Sequence, residues 1–288
     1  MGILINDETR IIVQGITGRI GSTQTKLMLE YGSNIVAGIS PGKGGESVHG
    51  IPVYDTFEAA TSERQADASI LFMPAPFVRD AAIEAIDSNI GVLVIITEHV
   101  PVHDTMYIKE RAQHTGTKII GPTTPGIIVP GKTKIGIMPT KVFMEGNVGI
   151  VSRSGTLLYE IAGNLTLTGI GQSCCLGIGA DQISGINLKE ILHLFEKDEQ
   201  TKAVVIVGEI GGTQEEDAAE FIRGEMRKPV VAYIAGRMAP LGKRMGHAGA
   251  IVLGERGTAQ NKIDVLREAG AKIAQKPSEV PHLIKTMI

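Results

Sequence analysis

The 288-residue chain has no tryptophan, few aromatics of any kind (4%) and only two cysteines. Those cysteines, Cys174 and Cys175, are adjacent. Neighbours on a strand point to opposite faces, so they make a poor disulfide pair and read as small buried hydrophobes in a reducing cytoplasm. A basic surplus is also missing. The net charge is −3, which argues against nucleic acid as the main partner, since nothing offsets the phosphates. No apolar run approaches the roughly 18 residues that would cross a bilayer, so no membrane association is expected. The N-terminus, Met1-Gly2-Ile3-Leu4-Ile5-Asn6-Asp7-Glu8, has neither a basic start nor a long apolar core. It carries no secretory pattern, and a cytoplasmic location is expected. Finally, no G-x-x-x-x-G-K-[ST] occurs, which removes a Walker-type triphosphate site.

What is present is glycine, 36 residues of it, on a chain that is 43% hydrophobic. That is a globular composition with many tight strand–helix turns. At roughly 150 residues per domain, two domains are expected. The first half alternates short β-rich runs with helical patterns: Arg10–Gln14, Asn34–Gly38, Ala68–Met73, Val92–Thr97 and Lys118–Gly121 as strands, with helices at Thr25–Tyr31, about Phe77–Asp87 and Asp104–Gln113. Pro122-Thr123-Thr124-Pro125-Gly126 and Pro130-Gly131-Lys132 break this pattern. A second series follows, with strands at Asn147–Val151, Ser173–Leu176, Ala203–Val207 and Val230–Ile234, and helices near Thr156–Asn164, Leu188–Phe195, Glu215–Glu225, Lys262–Ala269 and Val280–Met287. Continuous apolar strands with helical crossovers predict an α/β fold with parallel sheets covered on both faces. The division expected is 1–121, a connector at 122–145, and 146–288.

Several loops suit anions. Gly15-Ile16-Thr17-Gly18-Arg19-Ile20-Gly21 follows a strand and opens a helix, where N–H groups and the helix dipole attract phosphate. It spells G-x-x-G-x-x-G, which close strand–helix packing would also explain. A dinucleotide fold wants an acid about 20 residues on, for the ribose hydroxyl. Here the second strand runs into Pro41-Gly42-Lys43-Gly44-Gly45. A lysine in place of that acid suits a ribose bearing a phosphate, as in coenzyme A or NADP, or is a solvated turn lysine. In the second half, Ser152-Arg153-Ser154-Gly155-Thr156 is strand, turn and helix start. It is either an ordinary N-cap or an anion seat at Ser154, Gly155 and Thr156. Gly177-Ile178-Gly179-Ala180-Asp181 and Gly208-Glu209-Ile210-Gly211-Gly212 end two further strands, where α/β sheets bind ligands.

The densest chemistry lies in Leu241-Gly242-Lys243-Arg244-Met245-Gly246-His247-Ala248-Gly249-Ala250. One histidine sits among glycines, behind two cations. Neutral imidazole is a nucleophile near pH 7 and forms covalent intermediates, so His247 reads either as a loop histidine making one backbone hydrogen bond or, as its glycines, cations and the earlier anion loops favour, as a histidine that is itself phosphorylated. Glu209 is then the carboxylate expected to fix its tautomer, or else a surface glutamate without a partner. His49, His99, His103, His114, His193 and His282 are given no role. His99 and His103 are four apart, but Pro101 between them works against a helix there, and no metal site is expected. Glu215, Glu216 and Asp217 read as a solvated helix start.

With these motifs the chain resembles, over nearly its whole length, the alpha subunits of succinate–CoA ligase (succinyl-CoA synthetase, NDP-forming). The resemblance rests on Gly242–Ala250, Ser152–Thr156, Gly208–Gly212 and Pro41–Gly45. It implies a Rossmann-like CoA-binding domain followed by a flavodoxin-like parallel-sheet ligase domain. It implies His247 as phosphohistidine with Glu209 as its partner. It implies coenzyme A contacts at Thr17, Gly18, Arg19, Ile20, Lys43, Ile96, Thr97 and Glu98, and Tyr159 near the subunit interface and substrate site. Succinate, CoA and phosphate would be the substrates. A beta subunit of ATP-grasp fold would hold ATP or GTP with Mg²⁺. Two departures stand out. The family commonly reads G-P-N-C-P-G where this chain has Gly121-Pro122-Thr123-Thr124-Pro125-Gly126, and G-I-G-G-D-P where it has Gly177-Ile178-Gly179-Ala180-Asp181-Gln182. The first falls at the acyl pocket. Malate or another short acid is therefore the alternative substrate, and an NADP-dependent oxidoreductase the rival of a different class.

Overall fold

The computed structural model describes residues 3–240, 242–252 and 256–288. The chain divides into two compact units. One comprises Leu4–Met138 with Ile183–Gly185, and the other Ile3, Pro139–Gln182 and Ile186–Ile288.

The first unit runs β1 (Arg10–Gln14), α1 (Arg19–Glu30), β2 (Asn34–Ile39), β3 (Ser47–Val48), β4 (Ile51–Tyr54), α2 (Phe57–Glu63), β5 (Ala68–Leu71), α3 (Ala75–Asp87), β6 (Val92–Ile95), α4 (Val102–Thr115), β7 (Lys118–Ile120), β8 (Gly126–Val129) and β9 (Thr133–Gly136). Its sheet has the order β3-β4-β2-β1-β5-β6-β7, parallel except for the short β3–β4 pair. Strands β5 and β6 are buried along their whole length, as strands covered by helices on both faces must be. Ile12, Phe57, Leu71, Ile86 and Leu93 lie at the heart of this core.

The second unit continues with β10 (Glu145–Ser152), α5 (Gly155–Leu167), β11 (Gln172–Gly177), α6 (Leu188–Lys197), β12 (Ala203–Glu209), α7 (Gln214–Gly224), β13 (Val230–Ala235), α8 (Ala259–Glu268), β14 (Lys272–Ala274) and α9 (Val280–Lys285). Its five strands lie parallel in the order β11-β10-β12-β13-β14. This is the 2-1-3-4-5 order of a flavodoxin-like sheet. Both orders reverse direction once, beside β1 in the first unit and beside β10 in the second. Ligands of such sheets bind at the reversal, at the carboxyl ends of the strands, and in the first unit a crevice opens there.

The elements depart from the sequence expectation where local chemistry outweighs hydrophobic period. Helix α1 starts at Arg19, not Thr25, because Gly18 takes the N-cap position. A side chain at Gly21 would put its Cβ 2.1 Å from the Gly15 carbonyl oxygen, so that glycine lets the helix begin against the loop. Helix α4 starts just after Pro101, which sits at its N-cap and separates His99 from the helical His103. The 122–145 stretch, expected as connector, carries the antiparallel β8–β9 hairpin, a 3₁₀ turn at Thr140–Val142 and the start of β10. Its Pro130-Gly131-Lys132 is the hairpin turn, with Gly131 at φ +78°, between two short buried strands. Among the described residues no helix is long and apolar enough to cross a membrane. Cys174 and Cys175 are buried and unpaired on β11, and burial pushes the Cys174 thiol up to about 12.

Phe195 of α6 is fully buried against β10, where a Cβ at Gly149 would lie 2.6 Å from its ring. Phe195→Ala should therefore destabilise the chain by about 3–5 kcal/mol, seen in urea titration as a lower midpoint with unchanged slope.

Candidate active site

The crevice of the first unit has a volume of about 580 Å³. It is lined by Gly18, Arg19, Ile20 and Gly21 after β1, by Phe72, Met73 and Pro74 after β5, and by Ile96, Thr97 and Glu98 after β6. Three strand ends thus converge on the first turn of α1. Gly18 caps that turn without a side-chain hydrogen bond, so the helix presents backbone N–H groups and its positive dipole end to the crevice. Thr97 Oγ1 donates to the Met73 carbonyl at 2.7 Å and ties two of the walls together. Six of the expected residues, Gly18, Arg19, Ile20, Ile96, Thr97 and Glu98, line this crevice. Thr17 and Lys43 do not. Thr17 hydrogen-bonds Ser40 at 2.8 Å, fastening the loop to the end of β2. Lys43 is exposed and pairs with Glu46 at 3.0 Å.

In the second unit, β12 is buried from end to end and finishes at Glu209. The Glu209 carboxylate is buried, and its Oε2 lies 2.7 Å from His247 Nδ1. The imidazole is 35% exposed, so one edge is tied to protein while the ring remains open to solvent. The histidine loop folds on itself through hydrogen bonds from Met245 N–H to the Ala250 carbonyl and from Ala250 N–H to the His247 carbonyl. Gly249 N–H donates to the Ala180 carbonyl at 2.9 Å. Space there is short: a Cβ at Gly211 would fall 2.0 Å from the Gly249 carbonyl oxygen. Leu241, the first residue of the motif, lies outside the described residues. Lys243 and Arg244 are exposed.

Beneath Glu209 lies a charged layer that the sequence reading did not assign. Arg153 follows β10 and is buried. Its Nη1 donates to the Glu209 and Gly211 carbonyls at 3.2 and 2.6 Å, and its Nη2 lies 3.6 Å from Glu209 Oε1. Lys262 of α8 is fully buried, and its Nζ donates to the same two carbonyls at 2.9 and 2.7 Å. Glu215 of α7, also fully buried, pairs with Lys262 and with Arg153, and its Oε1 accepts the Glu209 N–H at 3.1 Å. Glu216 is buried too and accepts from Gly257 N–H and Asn261 Nδ2. The expectation of a solvated helix start at Glu215, Glu216 and Asp217 is thus overturned for Glu215 and Glu216. Burial alone would push the Glu215 carboxyl up, but Arg153 and Lys262 outweigh it and hold it below its ordinary value. The pattern did carry a signal. Lys262 stands with Ala259, Ile263 and Leu266, and Glu215 with Ala218, Ala219 and Ile222, on the buried stripes of their helices. A charge on an apolar stripe needs a buried partner.

Ser154 caps α5 through its side chain, accepting from Leu157 N–H, and its hydroxyl lies 3.3 Å from that of Thr156. Gly155 opens the helix. Tyr159 of α5 meets Phe143 edge-on, with ring centroids 6.4 Å apart. Burial pushes its hydroxyl up to about 12, so the phenol stays protonated. Of the histidines given no role, His193 packs edge-on against Phe221 and His49 hydrogen-bonds Ser22. Among the described residues no group of three or more His, Cys, Asp or Glu side chains is placed to hold a metal.

Removing one partner of a buried ion pair leaves the other charge uncompensated. Glu215→Ala should cost about 3–5 kcal/mol, read as a lowered denaturation midpoint. The sign with pH follows from the depressed carboxyl. Glu215 contributes its stability above its ordinary value of 4.5, and that contribution is lost as pH falls through its lower folded value. Acidification below pH 4.5 should therefore destabilise the parent more than Glu215→Gln.

The sequence matches two family profiles, CoA binding domain over residues 6–99 and CoA-ligase over residues 151–272. It is 56% identical over 288 residues to the succinate–CoA ligase [ADP-forming] subunit alpha 2 of Archaeoglobus fulgidus, with all of both chains covered. The subunit alpha of Methanothermobacter thermautotrophicus is 54% identical over 99% of this chain and 97% of the relative. That of Aquifex aeolicus is 49% identical over 100% and 95%. Among solved structures, the ATP citrate lyase of Methanosaeta concilii in complex with (3S)-citryl-CoA superposes with a TM-score of 0.89 at 25% identity. That match covers 99% of this chain, which spans half the length of that lyase chain. With a crevice at the reversal of the first sheet, a carboxylate-bound histidine in the second unit, and full-length relatives at half identity or more, the chain belongs to the family of succinate–CoA ligase alpha subunits.

Proposed function

We propose that His247 carries a phosphoryl group between an acyl phosphate and a nucleoside diphosphate, in the reversible conversion of succinyl-CoA, phosphate and NDP to succinate, CoA and NTP. The observation that carries this reading is the 2.7 Å bond between Glu209 Oε2 and His247 Nδ1. A carboxylate on Nδ1 holds the proton there, so the neutral ring keeps its lone pair on Nε2. Phosphate oxygen attacks the succinyl carbonyl carbon, the C–S bond breaks, and CoA leaves as thiolate. Nε2 then attacks phosphorus, the bond from phosphorus to the acyl oxygen breaks, and succinate leaves. In the last step an NDP oxygen takes the phosphoryl group and the P–N bond breaks. Ser154, Gly155 and Thr156, at the dipole-positive start of α5, seat the phosphate. Gly242 and Gly246, in open space at positive φ, let the loop travel between donor and acceptor.

Coenzyme A occupies the 580 Å³ crevice of the first unit, its phosphates on the first turn of α1 at Gly18, Arg19 and Ile20 and its chain along Ile96, Thr97 and Glu98. Thr17 shapes the loop through Ser40. Lys43 reads the 3′-phosphate, giving up an exposed ion pair with Glu46, of a kind worth about 0–1 kcal/mol. The name of the relatives, subunit alpha, supports a second subunit; on our reading that subunit binds ATP or GTP with Mg²⁺ on an ATP-grasp fold, with Tyr159 near the interface. The Mg²⁺ would neutralise charge on the nucleotide. Of the substrates weighed, succinate is favoured over malate and over an NADP-linked oxidation by the names of relatives at half identity over the whole chain. On this reading the chain is a CoA domain over 1–121, a connector over 122–145 and a ligase domain over 146–288, a division supported by the presence of one matched family in each half.

The test is a labelling assay. The chain with its second subunit, Mg²⁺ and γ-labelled ATP or GTP should take acid-labile, base-stable label on His247, discharged by succinate plus CoA. Discharge only by another acid would change the substrate and keep the relay. His247→Asn should abolish label and turnover yet leave CoA affinity intact, and retained turnover would rule out the covalent step. Lys43→Ala should weaken CoA by roughly tenfold, the worth of one charge-assisted bond, with little change for dephospho-CoA. An equal loss for both would show that Lys43 does not read the 3′-phosphate.

A further inference from the structure

We infer that Lys262 and Glu215 are positioning residues for phosphoryl capture: a buried ion pair that fixes the backbone of Glu209 and thereby the tautomer and aim of His247. The inference rests on the phosphohistidine reading above. Neither residue reaches the imidazole; they act on the chain that carries the carboxylate. Both polar groups of the Glu209 backbone are held by charged side chains, its N–H by Glu215 Oε1 at 3.1 Å and its carbonyl by Lys262 Nζ at 2.9 Å. Lys262 also takes the Gly211 carbonyl, two residues on, at 2.7 Å. Gly211 and Gly212 have φ of +85° and +64°, a conformation that would otherwise leave the end of β12 free to flex. Lys262 and Glu215 pair with each other, are wholly buried, and come from two different helices, α8 and α7. Arg153 Nη1 shares the same two carbonyls, so the cations clamp the strand end from two sides.

For a strand end that needed only to be capped, one donor per carbonyl would do. Buried ion pairs are also weak devices for stability, since well-packed neutral groups often do as well. What this pair supplies is geometric: the Glu209 backbone is fixed at both polar groups, so its carboxylate is held beneath Nδ1. A misplacement of about 1 Å at such a site can cost a factor of 100 in rate.

The experiment compares the parent with Glu215→Gln and with Lys262→Met/Glu215→Gln, in the full chain with its second subunit. Both variants keep an acceptor for the Glu209 N–H; the double variant removes both members of the pair, leaving Arg153 beside Glu209 and Glu216 on Gly257 N–H and Asn261. Label uptake at His247, CoA affinity, the denaturation midpoint and the nitrogen NMR of the His247 ring are measured. The double variant should take label about 10- to 100-fold more slowly, with CoA affinity within about twofold of the parent. In the parent the ring nitrogens should resonate as one pyrrole-like and one pyridine-like nitrogen; in the double variant the two should move towards the averaged values of a tautomer mixture. Should the double variant fail to fold, Glu215→Gln alone carries the test and should move both readouts in the same direction. Parental label uptake and an unchanged ring spectrum in a folded variant would overturn the inference. If the parent itself takes no label at His247, it is the phosphohistidine reading that fails.

Discussion

A fully buried lysine sets the terms for the second unit. Lys262 carries a charge where solvent cannot reach, and an unpaired ammonium there would cost several kcal/mol. The cost is offset by Glu215 and by two carbonyls at the end of β12. Three elements are bound by that requirement: α8 supplies the lysine, α7 the carboxylate, and β12 the carbonyls. Arg153, from the turn after β10, adds a fourth. Glu209 stands directly above this layer, with one carboxylate oxygen on the histidine. The position of the imidazole is thus decided by charge pairing several residues and two helices away.

The two units solve the same physical problem in the same way. A parallel sheet reverses its strand order once, and the loops at its carboxyl edge splay apart there. In the first unit the gap holds the uncapped start of α1, a site for anions on backbone N–H groups. In the second unit the end of β12 presents a carboxylate to an imidazole. The first arrangement suits holding a phosphate-bearing cofactor without reacting with it. The second suits chemistry, since a carboxylate on one ring nitrogen makes the other a directed nucleophile.

Glycine does different work at the two sites. Gly21 is needed because a side chain would strike the Gly15 carbonyl, and the helix could not start where it does. Gly249 and Gly211 are needed because the histidine loop and the strand end pass too close for a Cβ. At neither position is the glycine there for looseness. The loop around His247 is closed by its own backbone hydrogen bonds while keeping positive φ at Gly242 and Gly246.

Local patterns in the sequence determined the α/β class, the order of most strands and helices, the glycine loop, and the candidacy of Glu209 and His247. Each of these follows from residues near one another in the chain: apolar runs, helical spacing, a histidine between glycines. Arg153 and Lys262 stand in plain view, yet local pattern gives them no role, and it reads Glu215 and Glu216 as solvent-facing. A charged residue on an apolar stripe announces burial, but its partner lies 47 positions away for Lys262 and Glu215 and 62 for Arg153 and Glu215. Only the tertiary structure decides such pairings, because it is the stacking of α7 and α8 on one parallel sheet that brings those charges within reach. Hydrophobic periodicity specifies which face of a helix turns inward; which opposite charge waits there is settled by the packing of the whole unit.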